Sequence, residues 1–128
     1  MKKSELMKRA KFSKHENKMV LSLNFANLEI DEAYEVINYS AAIIEQMPKN
    51  SIYTLTNITD ANYNQDLISA LKKFAQKNKP HVIAGAVIGV EGIKKTVFNT
   101  IFKIAGRKNM RMFSNEDDAL TWLVTQHR

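Results

Sequence analysis

The 128-residue sequence has no cysteine, only two prolines and only four glycines. Without cysteine the chain can form neither disulfide bonds nor thiolate metal sites, which suits a reducing compartment. Its longest run of apolar residues and glycine, at positions 82–90, is far too short to span a bilayer. No apolar core of a signal peptide follows the charged amino-terminal stretch. We therefore expect a cytoplasmic protein with one domain over residues 1–128, a length that can bury one hydrophobic core.

Positive charge is concentrated near the amino terminus. The formal net charge is +6, and residues 1–18 hold seven Lys or Arg against two Glu, which leaves a net +1 for the rest of the chain. We interpret residues 1–9 as a basic arm that need not be ordered. Because the body of the domain is nearly neutral, its charge does not favour nucleic acid as a partner.

Hydrophobic periodicity predicts alternating strands and helices. Strands are expected at residues 19–25, 51–58, 82–90 and 109–113, and residues 10–14 are a candidate hairpin partner for the first of them. Helices are expected at 31–47, from the 59–64 turn to about 77, at 92–106, and after an N-cap at Ser114. This order predicts an α/β fold: a single layer of mostly parallel sheet, with four to five strands and helices on both faces. Strand 82–90 is apolar on both sides, which places it near the centre.

The sequence contains no motif for catalysis or for binding a metal or cofactor. His15, His81 and His127 fall in separate elements, so we expect no enzyme activity, no cofactor and no metal site. Gly89 and Gly92 precede Lys94 as in a phosphate-binding turn, but Ile93 breaks the P-loop spacing. Ligands of open parallel sheets bind beyond the carboxyl ends of the strands, which here means the loops at 57–64 and 90–95.

The predicted helix at 92–106 has an unusually broad apolar arc. Ile93, Val97, Ile101 and Ile104 fall on one stripe, which we expect to face the sheet. Phe98 and Phe102 lie at its flank, where part of their surface is expected to stay uncovered. One interpretation is a core helix whose lysines extend to solvent. The other is an apolar strip for a protein partner, a second subunit, a membrane surface or a lipid-like ligand.

Three segments give the chain a family resemblance: SIYTLTNIT before the second helix, HVIAGAVIGVEG before the third, and the closing MFSNEDDALTWL. With these segments, residues 10–126 resemble the SpoIIAA-like branch of the STAS superfamily, also described as STAS/Sec14-like. The anti-sigma-factor antagonists of that superfamily carry an Asp-Ser-Ser/Thr-Gly motif where the second helix begins, and a partner kinase phosphorylates its serine. Asn62, Tyr63 and Asn64 occupy the matching positions, so no serine phosphoswitch is expected here.

We expect a non-enzymatic regulatory or protein-interaction module of SpoIIAA-like type, which uses the loop at 60–64 and the third helix to bind a protein partner or a second copy of itself. The Sec14-like description implies an alternative, a binder of a small apolar or lipid-like ligand. A cavity between the third helix and the sheet would favour the ligand binder, and a solid core with an exposed apolar strip would favour the interaction module. The residues expected to bind a partner or ligand are Asp60, Asn62, Tyr63, Asn64, Lys94, Phe98 and Phe102.

Overall fold

The computed structural model describes residues 1–127. Its elements are α1 (Lys3–Arg9), β1 (Ala10–His15), β2 (Lys18–Asn24), α2 (Ile30–Glu45), β3 (Ile52–Asn57), α3 (Gln65–Asn78), β4 (Val82–Ile88), α4 (Lys94–Ile104), β5 (Met110–Phe113) and α5 (Glu116–Leu123). From β2 onward, the alternation of strands and helices agrees with the sequence prediction. The α/β class is therefore confirmed.

The five strands form one sheet in the order β1-β2-β3-β4-β5. Strands β2 to β5 pair in parallel, whereas β1 pairs antiparallel with β2. The sheet is therefore mixed, and the prediction of a mostly parallel sheet is corrected. The cause is the hairpin at the amino terminus: Glu16 and Asn17 both have positive φ, 49° and 66°, as a two-residue type I′ turn requires.

Helices cover the two faces of the sheet unequally. Right-handed crossovers between neighbouring parallel strands place their helices on one face, and α2, α3 and α4 pack there together with α1. Helix α5 covers the other face, where Ala119 and Leu123 are buried against the sheet. Strand β4 lies between β3 and β5 and is buried over residues 82–87, although β3 is the middle strand.

The amino-terminal segment is ordered as helix α1, where the sequence suggested only a basic arm. The Met1 amino group forms an ion pair with Glu35 of α2 at 2.9 Å, and Arg9 donates to the Ala26 carbonyl at 2.8 Å. The sequence of α1 lacks a strong apolar stripe, so these tertiary contacts stabilise the helix. Across residues 1–127, the structure shows no helix with the length and apolar character needed to cross a bilayer.

One helix start also differs from the sequence prediction. The N-cap of α5 is Asn115, whose side-chain oxygen accepts from the Asp118 amide at 2.8 Å, and not Ser114. Asparagine and serine are comparable N-caps, so the motif alone could not separate two adjacent candidates.

Candidate functional site

The loops after β3 and β4 meet at the carboxyl ends of the strands, as expected for this kind of sheet. The Ile58 amide donates to the Ile88 carbonyl at 3.0 Å. Asn57 closes the turn that follows β3, because its side-chain oxygen accepts from both the amide and the hydroxyl of Thr59. Gly89 has φ +81°, and a Cβ placed there would lie 2.8 Å from the Thr59 Cα. These contacts fix the 57–64 loop against the start of the segment that leads to α4.

The loop residues singled out from the sequence have different structural roles. Asp60 is exposed with φ +52°, and its carboxylate does not close the turn, a role that belongs to Asn57. Asn64 is the N-cap of α3 and accepts from the Leu67 amide at 2.8 Å. Asn62 donates from its side chain to the Leu28 carbonyl at 3.2 Å. Asn62 and Asn64 thus organise the loop.

Tyr63 and Lys94 come together where this loop meets α4. The Lys94 ammonium lies 5.9 Å from the centroid of the Tyr63 ring and donates to the Ala61 carbonyl at 3.1 Å. This distance permits a cation–π interaction. Tyr63 remains 41% exposed. The pair therefore forms a polar rim at the mouth of an apolar cleft.

A narrow cleft, here called the upper cleft, opens beside this rim between α3, α4 and the sheet. It encloses about 50 Å³, and its surface is almost entirely apolar. Besides the rim residues, its walls include Phe25, Ala61, Ile68, Leu71, Val97 and Phe98. Of the loop residues predicted from the sequence, Asn62 and Tyr63 line this apolar space under α4, whereas Asp60 and Asn64 do not.

A second space, the lower cleft, continues beneath α4 toward the amino-terminal end of β4. It encloses about 60 Å³ and shares Phe25, Thr56, Leu71 and Phe98 with the upper cleft. Its remaining walls include Phe74, Asn78, Ile101, Phe102, Arg107 and Met110. The two clefts therefore adjoin, and the Phe98 ring lies where they meet.

Helix α4 presents a different face to the sheet from the one predicted. Phe102 is only 9% exposed and Phe98 is half-buried, whereas Ile93 and Ile104 are 73% and 53% exposed. The expected sheet-facing stripe is therefore wrong for Ile93 and Ile104, and of the two phenylalanines expected to stay partly uncovered only Phe98 does so. The buried stripe consists of Phe98, Ile101, Phe102 and Ala105, at helical spacing i, i+3, i+4 and i+7. The physical reason is that aromatic rings remove more apolar surface from water than isoleucine does.

The two phenylalanines pack on each other within this buried stripe. Their ring centroids are 6.1 Å apart with an interplanar angle of 67°, which is an edge-to-face arrangement. Phe102 supports Phe98 in this way from the side of the lower cleft.

At the far end of the lower cleft lies a basic cleft that the sequence analysis missed. This more open depression measures about 380 Å³, and its charged lining residues are Lys79, Arg107 and Lys108, with His127 also at its edge. Arg107 lines both the basic cleft and the lower cleft. No local sequence pattern singles out Arg107, because its approach to the end of α3 is a long-range contact.

Arg107 is a partly buried cation. Its guanidinium donates to the Ala75 carbonyl at 3.1 Å and reaches the Met110 sulfur at 3.2 Å. Desolvation by burial lowers the pKa of Arg107 from its ordinary value to about 10. No carboxylate of residues 1–127 lies within ion-pair distance of it.

The histidines do not share a site. His15 contacts the Ser13 hydroxyl at 3.0 Å, His81 contacts the Met47 carbonyl at 2.8 Å, and His127 borders the basic cleft. Within the described part of the chain, no three His, Asp or Glu side chains are grouped as metal ligands would be.

Comparison with known proteins does not assign the chain to a family. No protein-family model matches the sequence, and no curated protein matches it significantly.

Proposed function

We propose that this protein is a non-enzymatic binder of a small apolar or lipid-like ligand, held in the upper and lower clefts. The observation that carries the proposal is the pair of adjoining clefts beneath α4, which meet at Phe98. A concave, mostly apolar space with a few polar groups at its rim is the usual form of a small-molecule site. The resemblance to the SpoIIAA-like, Sec14-like proteins is part of the same proposal. Without a serine at positions 62–64, it includes no serine phosphoswitch.

The sizes of the clefts imply that α4 moves when a ligand enters. Sites for drug-sized ligands measure roughly 300–1,000 Å³, several times the 50 and 60 Å³ enclosed here. Outward movement of α4 would join the two spaces once Phe98 turns aside. Helix α4 therefore serves as the cover of the site.

The structure of α4 suits such a movement. It has no side-chain N-cap, and its first turn carries Lys94 and Lys95, where the helix dipole favours negative charge. Ile93 and Ile104 contribute little to its anchoring because they are largely exposed. Segments with few buried apolar contacts open at lower free energy than the rest of a fold.

A titration with 1-decanol, a neutral linear ligand, tests the proposal. Ala61→Leu places a larger side chain in the upper cleft and should weaken decanol binding at least tenfold. Ala42→Leu is the matched control, because Ala42 is exposed on α2 and should leave binding unchanged. Calorimetry gives the affinities, and native mass spectrometry gives the number of ligands bound. Absence of decanol binding by the unmodified protein, or equal binding by both variants, would contradict the proposal.

The interaction module remains a second candidate function. The observation in its favour is the exposure of Ile93 and Ile104 on the outer side of α4, which leaves apolar surface in water. If a second copy of the chain covers this surface, Ile93→Ser/Ile104→Ser should reduce self-association without lowering the melting temperature. Sedimentation velocity of the unmodified protein and the variant measures this, and a monomer in both cases would reject self-association through α4.

A further inference from the structure

The positively charged side chain of Arg107 lies at the boundary between the apolar lower cleft and the open basic cleft. Arg107 lines both spaces, and the donors of its guanidinium that do not reach Ala75 or Met110 have no protein partner in residues 1–127. A buried charge without a counter-charge is costly, whereas the same charge paired with an oxyanion forms strong hydrogen bonds.

A second polar group points to the same place. Asn78, at the end of α3, is only 6% exposed and lines the lower cleft with Arg107. Its side-chain amide forms no hydrogen bond within the described residues. Among residues 1–127, the Ser40 hydroxyl is the one fully buried side-chain polar group without a partner, so the Asn78 amide still reaches the open space of the cleft. Asn78 and Arg107 therefore line the same cleft with hydrogen-bond donors for which the protein itself supplies no further partner.

The basic cleft adds positive charge around this position. Lys79 and Lys108 line it, and no Asp or Glu among residues 1–127 does so. The Lys79 ammonium lies 3.0 Å from where a Cβ of residue 106 would stand, so Lys79 reaches over to the residue that precedes Arg107. Cations gathered in a cleft without carboxylates raise the local concentration of anions.

The opposite end of the passage is a weaker candidate for an anion. Lys94 already donates to the Ala61 carbonyl and lies over the Tyr63 ring. The upper cleft beside Lys94 is almost wholly apolar. The one side-chain amide that lines it among residues 1–127, that of Asn62, already donates to the Leu28 carbonyl.

We infer that the ligand is an anionic amphiphile: a linear apolar chain in the two clefts under α4, with a carboxylate or phosphate head bound by Arg107 and Asn78 at the mouth of the basic cleft. This inference rests on the proposed apolar site and adds the chemical class of the ligand. Arg107 supplies a planar fork that matches an oxyanion. Asn78 donates from its amide, while Lys79 and Lys108 neutralise the remaining charge.

The test compares ligands with one chain and different heads: 1-decanol, decanoate and decyl phosphate, with inorganic phosphate as a head without a chain. In the unmodified protein, at least one of the two anionic ligands should bind roughly 10- to 100-fold more tightly than decanol, which is the range for hydrogen bonds to charged groups. Arg107→Gln should abolish this difference while decanol still binds.

Two further variants separate head-group binding from folding. Lys79→Gln removes an exposed cation of the basic cleft that forms no ion pair within residues 1–127, and should reduce the preference for the anionic ligands even if Arg107→Gln is poorly folded. Lys103→Gln makes the same change of charge on the exposed side of α4 and should leave the preference intact.

The outcomes distinguish this inference from the function on which it rests. Equal affinity for decanol and both anionic ligands would overturn the inference and leave the apolar site in place. Binding of inorganic phosphate as tight as that of decyl phosphate would show a site for a free anion, and would also overturn it. If none of the three chain-bearing ligands binds, the apolar site itself is refuted.

Discussion

The orientation of α4 determines whether the clefts exist, and two isoleucines test it directly. Ile101 and Ile104 lie on the same helix, three residues apart, but Ile101 is 2% exposed and Ile104 is 53% exposed. Replacing each with alanine removes the same atoms, and the gain in helix propensity is small at both positions, smaller still at Ile104 because it ends the helix. The difference between the two variants therefore reports burial.

The expected magnitudes follow from where each side chain lies. Replacing a buried isoleucine with alanine lowers the free energy of unfolding by about 2–5 kcal/mol. The loss is larger where the surrounding side chains cannot move in to fill the cavity. Ile101 lines the lower cleft, which is already partly empty, so we expect Ile101→Ala to lower the free energy of unfolding by about 3 kcal/mol. Ile104→Ala should stay within about 0.5 kcal/mol of the unmodified protein, as is usual for exposed positions.

Urea denaturation measures both changes. With an m-value of about 2 kcal/mol/M, Ile101→Ala should lower the midpoint by roughly 1.5 M, and its melting temperature should fall by roughly 10–15 °C. Equal losses for the two variants, or a larger loss for Ile104→Ala, would mean that α4 faces the sheet with the isoleucine stripe. The clefts described above would then not form.

Three further predictions concern single positions. Ser40 is fully buried on α2, and its hydroxyl has no hydrogen-bond partner, so Ser40→Ala should raise the free energy of unfolding by about 1 kcal/mol; destabilisation in urea would reveal a missed partner. Gly89→Ala should cost about 2 kcal/mol more than Gly92→Ala, because both glycines have positive φ but only Gly89 is crowded by Thr59; similar melting temperatures for the two variants would exclude that close approach. Asn64→Ala should cost about 1 kcal/mol through loss of the α3 N-cap, measured by urea denaturation, and no loss would mean that another group caps α3.

The sequence predicted the elements from β2 to α5 because their patterns are local. Alternation marked β2, apolarity on both sides marked β4, and i, i+3, i+4 spacing marked the helices. Helix α1 was missed because Leu6 is its only apolar side chain packed on the core, and its ion pair between Met1 and Glu35 joins distant parts of the chain. The antiparallel strand β1 could be predicted only as a candidate, because Phe12 is the one large apolar side chain in its sequence.

The candidate site could be predicted only in part. The rule for ligands at the carboxyl ends of strands led to the 57–64 loop and to Lys94, which the structure brings together at the upper cleft. The apolar arc of α4 was too broad for the sequence to decide which side faces the sheet. The basic cleft is lined both by Lys79 at the end of α3 and by Arg107 beyond α4. No periodicity or spacing in the sequence predicts that these two residues come together.

The most direct test of an apolar ligand site under α4 is a filtered nuclear Overhauser measurement on isotope-labelled protein with unlabelled 1-decanol. The clefts predict cross-peaks from the decanol chain to the ring of Phe98 and the methyl groups of Leu71, which line both spaces. The exposed side chain of Ile104 should show none. Cross-peaks to Ile93 and Ile104, without any to Phe98 and Leu71, would place the ligand on the outer surface of α4 and contradict the account.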